Sequence, residues 1–310
     1  MAQPQFPVDK RESSWNPERM RVTDHVHAVR IDYRVTPKPG LTVKRFVYVY
    51  WCLGSEAILI DAGVKGYQQT IFQYLMDRGY SLSDLRQIVL THAHADHIGA
   101  LKPIQKETQA QVWVHPLERT WVEDVELGLS LRPGRGLAQI VAGSTQVEHL
   151  LEDRAWLDWG RTVRAQVIYT PGHSPGSVCL LVEPDGLLIT GDALAFAWGV
   201  PVYDNLIQTL ETLERLRGLQ GVGGVLCSWE APRAGGRSLA GLLDQCQARL
   251  EQTHQAVRDC VARSGSLDAT TLTPLVLADL EVPLAANSPA VEHAIKQHVD
   301  LLDETVGIFE

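Results

Sequence analysis

Thr91-His92-Ala93-His94-Ala95-Asp96-His97 decides how this chain is read. It continues the apolar run Gln87-Ile88-Val89-Leu90-Thr91, which has the character of a strand buried on both faces. The segment therefore sits at the carboxyl end of a strand, where ligands gather in open α/β sheets. Three imidazoles and a carboxylate lie within six positions, and these donors suit zinc and several other first-row metals. In an extended segment His92 and His94 point the same way, and a following turn presents Asp96 and His97 from the other side. Ala93 and Ala95 are small enough to leave the space between the donors open. The bland alternative is a solvated His-rich turn.

Working outward, other strand-like runs end on polar residues of the same kind. Tyr169-Thr170-Pro171-Gly172-His173-Ser174-Pro175-Gly176-Ser177 puts a His in a Pro/Gly turn between two strand candidates, 163–169 and 177–183. Leu188-Ile189-Thr190-Gly191-Asp192 and Ile58-Leu59-Ile60-Asp61-Ala62-Gly63 each end an apolar strand on a carboxylate. Taken singly, such residues are more often turn or capping residues. Further strands are expected at 26–31, 43–53, 112–115 and 222–227, and helices at 67–78 and 205–217. Strands and helices alternate from about residue 25 to about 230, which favours layered α/β packing. Beyond residue 236 the pattern is helical. Ser238 caps a long helix that Gly265 ends, and Ser288-Pro289 opens another over 288–306.

H-x-H-x-D-H, then T-P-G-H-x-x-G-S, then G-D, preceded by L-I-D-x-G, resembles the metallo-β-lactamase superfamily in motif order over about residues 25 to 230. The resemblance implies an α/β fold, an αββα four-layer sandwich with a C-terminal helical extension. The chain then divides into an extended arm over 1–20, the sandwich domain over 21–235 and a helical region over 236–310. It also implies a dinuclear metal site holding one or two Zn2+ ions, with iron or manganese as alternatives. By the family pattern His92, His94 and His173 bind the first ion, Asp96 and His97 the second, and Asp192 bridges them. Asp61 orders the site from behind without binding metal.

The chain departs from the pattern at the last ligand, where family members carry a His in a G-H turn. Here the stretch reads Cys227-Ser228-Trp229-Glu230, and Trp cannot ligate a metal. Ser228 or Glu230 is the candidate substitute, with Trp229 facing the place the His would take. Trp198 and Tyr203, just after Asp192, are candidate rim residues of the substrate pocket. Trp121, Trp156 and Trp159 in the insertion 116–160 are further aromatic candidates, with core packing the more common role for each. His254, His293 and His298 read as surface or interface residues.

The implied activity is metal-dependent hydrolysis, in which a metal-bound hydroxide attacks the carbonyl of a small-molecule ester, lactone, thioester or amide. Asp96 would orient the nucleophile and help protonate the leaving group. Two other functions stay open: a mononuclear iron, persulfide-dioxygenase-like oxidoreductase, and a catalytically silent metal-binding module. The composition agrees with a small-molecule partner. With 28 basic against 37 acidic residues the net charge is −9, and no Lys/Arg cluster is present to bind nucleic acid. Nor does any run of 18 apolar residues suggest a membrane span. Five cysteines, none in a C-x-x-C pair, point to a reducing, cytoplasmic setting and buried apolar roles. The helical tail would cap the site or mediate a homo-oligomer contact.

Overall fold

The computed structural model describes residues 19–38, 40–131, 136–194, 199, 202–233, 236–265 and 267–302. Most of the arm expected over 1–20, the candidate Trp198 and residues 132–135 lie outside the described residues. Among those described, the chain forms two sheets. The first runs in chain order through β1 (Arg19–Arg21), β2 (Val26–Lys38), β3 (Leu41–Leu53), β4 (Ala57–Ile60), β5 (Leu85–Val89), β6 (Gln111–Val114) and β7 (His149–Leu150). The second holds β8 (Trp156–Trp159), β9 (Val163–Tyr169), β10 (Val178–Glu183), β11 (Leu187–Ile189) and β12 (Gly224–Leu226), ordered β12-β11-β10-β9-β8. The chain enters the first sheet as antiparallel hairpins and becomes parallel from β4 onward, whereas only β11 and β12 are parallel in the second.

The helices are α1 (Gln68–Met76), α2 (Ala95–Ile98), α3 (Leu101–Thr108), α4 (Arg119–Glu123), α5 (Val125–Leu131), α6 (Leu206–Arg217), α7 (Leu239–Ser264), α8 (Ala269–Asp279) and α9 (Pro289–Asp300). The period of two in β3 explains the layering. Val47, Val49, Trp51 and Leu53 face outward against Ile71, Phe72 and Leu75 of α1 and Leu101 and Ile104 of α3. Tyr48, Tyr50 and Cys52 face inward, against Val167, Leu180, Val182 and Ile189 of the second sheet. On that sheet's other face Cys179, Leu181 and Leu188 pack on Leu206, Leu213 and Leu216 of α6 and Leu242, Leu243 and Cys246 of α7. Helix, sheet, sheet and helix follow one another, the αββα order that the resemblance implies. Each fully buried aliphatic side chain in these layers contributes about 1.5–3 kcal/mol relative to exposure.

α7 continues past the sandwich and joins α8 and α9 through Val257, Cys260, Leu272, Val276, Val291 and Ile295. Its ends fall where the sequence places them: the Ser238 hydroxyl accepts from Gly241 N, and Gly265 ends the helix at φ +66°. α8, β1 and β8 are among the elements not foreseen from the sequence. α8 is obscured by Thr-rich composition and by Pro274 inside it. β1 carries the end of the expected arm into the first sheet, with Met20 buried between the layers. β8 takes up Trp156 and Trp159, so the segment 116–160 is not merely a pocket-forming insertion. All five cysteines are buried and unpaired. Among the described residues no helix is long and apolar enough to cross a membrane.

Candidate metal centre

The carboxyl ends of β4, β5 and β11 meet at one edge of the two sheets, and the chain turns sharply at each. After β4, Asp61 takes a left-handed conformation with φ +59°, which Asp tolerates better than most residues. This turns its carboxylate across to the neighbouring strand end, where Oδ1 accepts from Thr91 N and Oδ2 from the Thr91 hydroxyl, both at 2.8 Å. Oδ2 also pairs with His97 Nδ1 at 2.8 Å. The Thr91 hydroxyl, its proton committed to Asp61, can only accept from His92 Nδ1 at 3.1 Å. His92 is thereby held with Nε2 as its lone-pair nitrogen, 3.9 Å from Asp192 Oδ2. After β11, Gly191 adopts φ +52°, and a Cβ there would lie 2.4 Å from Thr91 Oγ1, so only glycine lets the two strand ends approach this closely.

His173 comes from the second sheet. Its Nδ1 donates to the carbonyl of Val202 at 2.9 Å, which turns Nε2 toward His94 Nδ1, 2.9 Å away, and Asp192 Oδ2, 3.6 Å away. One donor atom from each of His92, His94, His173 and Asp192 lies within 4.8 Å of all the others. His92, His173 and Asp192 are buried while His94 is half-buried, so the cluster meets solvent at His94. Three imidazoles converging with a carboxylate, two of them with their outward nitrogens already committed, are a donor set that fits a zinc-like ion.

His97 stands against the same carboxylate, its Nε2 3.3 Å from Asp192 Oδ1. Burial opposes a charge on His97, but the carboxylates of Asp192 and Asp61 outweigh it and hold its pKa well above the ordinary histidine value. Burial likewise pushes Asp192 up, yet His97, then His173, together with the Ser228 hydroxyl, bring it below the usual carboxylate range. Asp96 is the second residue of α2, next in the chain to His97. Its Oδ2 accepts from the buried Tyr33 hydroxyl at 3.0 Å. Burial and the Asp96 charge raise the Tyr33 pKa, so the phenol stays a donor.

The turn 227–230 lies next to Asp192, since Ser228 N donates to Gly191 O at 3.2 Å. It brings no further His, Cys, Asp or Glu into the four-donor cluster. Ser228 is buried with its hydroxyl toward Asp192. Trp229 packs on the apolar layer outside the first sheet. Glu230, with Ser228 one of the two candidate substitute ligands, is drawn off by Arg237 at 2.7 Å and Arg233 at 3.9 Å.

The sequence profile of the metallo-beta-lactamase superfamily matches residues 42–221, more than half of the chain. The chain belongs to this superfamily. Over 141 residues it is 36% identical to a probable metallo-hydrolase of Bacillus subtilis (strain 168), YqgX, a stretch covering 45% of this chain and 62% of YqgX. With a second probable metallo-hydrolase of that organism, YflN, it shares 32% identity over 189 residues, 56% of this chain and 69% of YflN. The chain thus spans about six-tenths of the length of the first of these relatives. The fold is shared with a Beta-lactamase domain protein from Burkholderia ambifaria, at TM-score 0.68 and 18% identity over 92% of this chain and 88% of that one. It is shared too with the metallo-beta-lactamase family protein TTHA1429 from Thermus thermophilus, at TM-score 0.63 and 21% identity over 89% and 93% of the two chains.

Within this superfamily member, the structure brings His92, His94, His97, His173 and Asp192 together, with Asp61 behind them, whereas Asp96 is bonded to Tyr33 and is not part of the four-donor group. Tyr203 does not reach a pocket rim. It is 1% exposed, and its hydroxyl bonds to His298. His298 is likewise buried rather than on a surface. Trp159 is buried with its indole N–H on Gln87 Oε1, Trp156 stacks under Arg164 at the sheet edge, and Trp121 packs on the outer apolar layer.

One residue that sequence reasoning missed is Glu118, fully buried just before α4. Its carboxylate accepts from Ala93 N at 3.0 Å and Gly176 N at 2.8 Å, tying the H-x-H turn to the T-P-G-H turn. Glu118→Gln puts an amide NH2 against one of these N–H groups and strands it in the interior. The expected loss is about 2 kcal/mol of stability, read from denaturant unfolding. A variant with parental stability would show that the two turns hold together without this carboxylate.

Proposed function

We propose that this protein is a metal-dependent hydrolase acting on the carbonyl of a small-molecule ester, lactone, thioester or amide. The observation that carries this is the convergence of His92, His94, His173 and Asp192 within 4.8 Å at the rim of the sandwich. An ion held by these four, with Zn2+ our choice, would act as a Lewis acid and lower the pKa of a coordinated water to about 7. The chain's own groups supply the rest. His94, the half-buried member, faces the incoming substrate. Asp96 is assigned to orienting the nucleophile and passing a proton to the leaving group. The Tyr33 hydroxyl on Oδ2 fixes its rotamer and leaves Oδ1 to carry that proton. The unpaired buried cysteines support a reducing, cytoplasmic setting. Hydrolysis of a broad ester, lactone and thioester panel, lost on chelation and restored by Zn2+, tests the reading. Full metal loading with no turnover on that panel would favour a silent metal-binding module.

We further propose that one ion is held tightly. Trp229 takes the last ligand's place in the chain, and Glu230 is paired with Arg237. His97 Nδ1 is bonded to Asp61 Oδ2, and its Nε2 lies 3.3 Å from Asp192 Oδ1. Metal quantitation on the purified protein is expected to give one equivalent, and Trp229→His to raise it toward two. Two equivalents in the parent would overturn the single-ion reading. The same geometry suits a mononuclear iron oxygenase, and turnover that stops without O2 would put that activity in place of hydrolysis.

A further inference from the structure

The imidazole of His173 is oriented by a segment that is itself held by the C-terminal helices. Val202 supplies the carbonyl that accepts from His173 Nδ1. Two residues on, Asp204 N and Asn205 N both donate to Gly172 O, at 2.7 and 3.0 Å. Residues 202–205 are thus stitched to the T-P-G-H turn on one side. On the other side lies α9. Gln297 Nε2 donates to Asp204 O at 2.7 Å, and Gln297 Oε1 accepts from Leu206 N, the first residue of α6, at 2.6 Å. His293 Nε2 bonds the same Asp204 carbonyl at 3.0 Å, and the buried His298 meets the Tyr203 hydroxyl. Burial and the neighbouring His254 lower the His298 pKa to about 3, so it stays neutral in this packing.

We infer that Gln297, backed by His298, is a positioning residue for the His173 imidazole, acting through residues 202–205, so that the C-terminal helices set how tightly the cluster holds its ion. This rests on the reading of His173 as a ligand. The physical reason is that one amide side chain closes two backbone groups at once. Without it, the Leu206 N–H loses its partner on α9 and the Asp204 carbonyl keeps only His293 there. The Val202 carbonyl, two residues from Asp204, is then free to shift. Groups that bond a metal-binding imidazole directly change metal affinity about 10–100-fold, and a group one bond further out should have a smaller effect.

The test is Gln297→Met in the full chain. Methionine has similar bulk and neither hydrogen bond. The readouts are the Zn2+ dissociation constant from competition with a chromophoric chelator, and the visible spectrum of the Co2+-loaded protein. Val291→Ala serves as the comparison, because Val291 is buried on α9 in the apolar cluster that Val202 also packs against, so it perturbs that packing without removing either Gln297 hydrogen bond. The expected result is Zn2+ affinity weakened about fivefold and an altered Co2+ spectrum for Gln297→Met, since its effect falls below that of a direct partner. Val291→Ala should lower thermal stability and keep parental affinity. Parental affinity and spectrum in Gln297→Met, or an equal loss in Val291→Ala, would overturn the inference. His173→Ala separates the two levels. If it binds Zn2+ like the parent, the reading of the site falls and this inference with it. If it loses Zn2+ while Gln297→Met does not, only the positioning role falls.

Discussion

His92→Ala is expected to abolish tight metal binding and, with it, turnover. His92 is 1% exposed, and its ring lies 4.6 Å from that of His94 and 4.9 Å from that of His173. Alanine therefore removes one of the four donors of the cluster. The Thr91 hydroxyl, which orients the ring, stays bonded to Asp61, so the surrounding strand ends keep their arrangement. The loss should thus appear in metal content before it appears in folding. Affinity should fall by more than the ~100-fold that marks the upper range for outer partners of a ligand. Metal content after dialysis against a chelator, with initial rates on the best substrate of the panel, measures it. A His92→Ala protein that keeps its ion and its rate would end the metallo-hydrolase assignment at this cluster.

Asp61→Ala is expected to have the largest effect on stability. Asp61 is 2% exposed and accepts from Thr91 N, from the Thr91 hydroxyl and from His97 Nδ1. Removing it leaves three buried donors without their acceptor, each costing about 1–3 kcal/mol. Alanine at φ +59° adds about 1–2 kcal/mol of conformational strain. The sum approaches the whole stability of an ordinary domain, about 5–15 kcal/mol, so much of the variant should be unfolded or insoluble. Asp61→Asn tolerates the backbone and retains one acceptor oxygen, so about half of that loss is expected. Denaturant unfolding of both, with soluble yield for the alanine variant, distinguishes them. An Asp61→Ala protein within about 1 kcal/mol of the parent would mean that the carboxylate is not what joins β4 to β5 at the site.

Each residue assigned to the chemistry stands at or just past the end of an apolar run, and period and position identify such ends without a structure, but it is the resemblance in motif order that assigns them to a metal site. The turn at 227–230 was only half legible. That Trp229 cannot ligate follows from its side chain. That Glu230 does not substitute follows from Arg237, an ion pair no spacing rule announces. Tyr203 illustrates the opposite error. Its nearness to Asp192 in sequence suggested a pocket rim, but the packing of α9 buries it.

By itself, the sequence determined the layered α/β fold and the long capped helix after residue 238, and its resemblance to the superfamily singled out His92, His94, His173 and Asp192 with Asp61 behind them. The fold and the helix depend on local periodicity and capping, which one stretch of chain carries alone, whereas the donor set rests on the order of the motifs along the chain. Tertiary structure alone decided what holds those donors in place. Glu118 acts on backbone 25 and 58 residues away, Tyr33 on a carboxylate 63 away, and Gln297 on a carbonyl 93 away. In two of these three the partner is a main-chain N–H or C=O group, which almost every residue possesses, so nothing in the sequence marks it. Only the approach of the folded layers selects which of them meet.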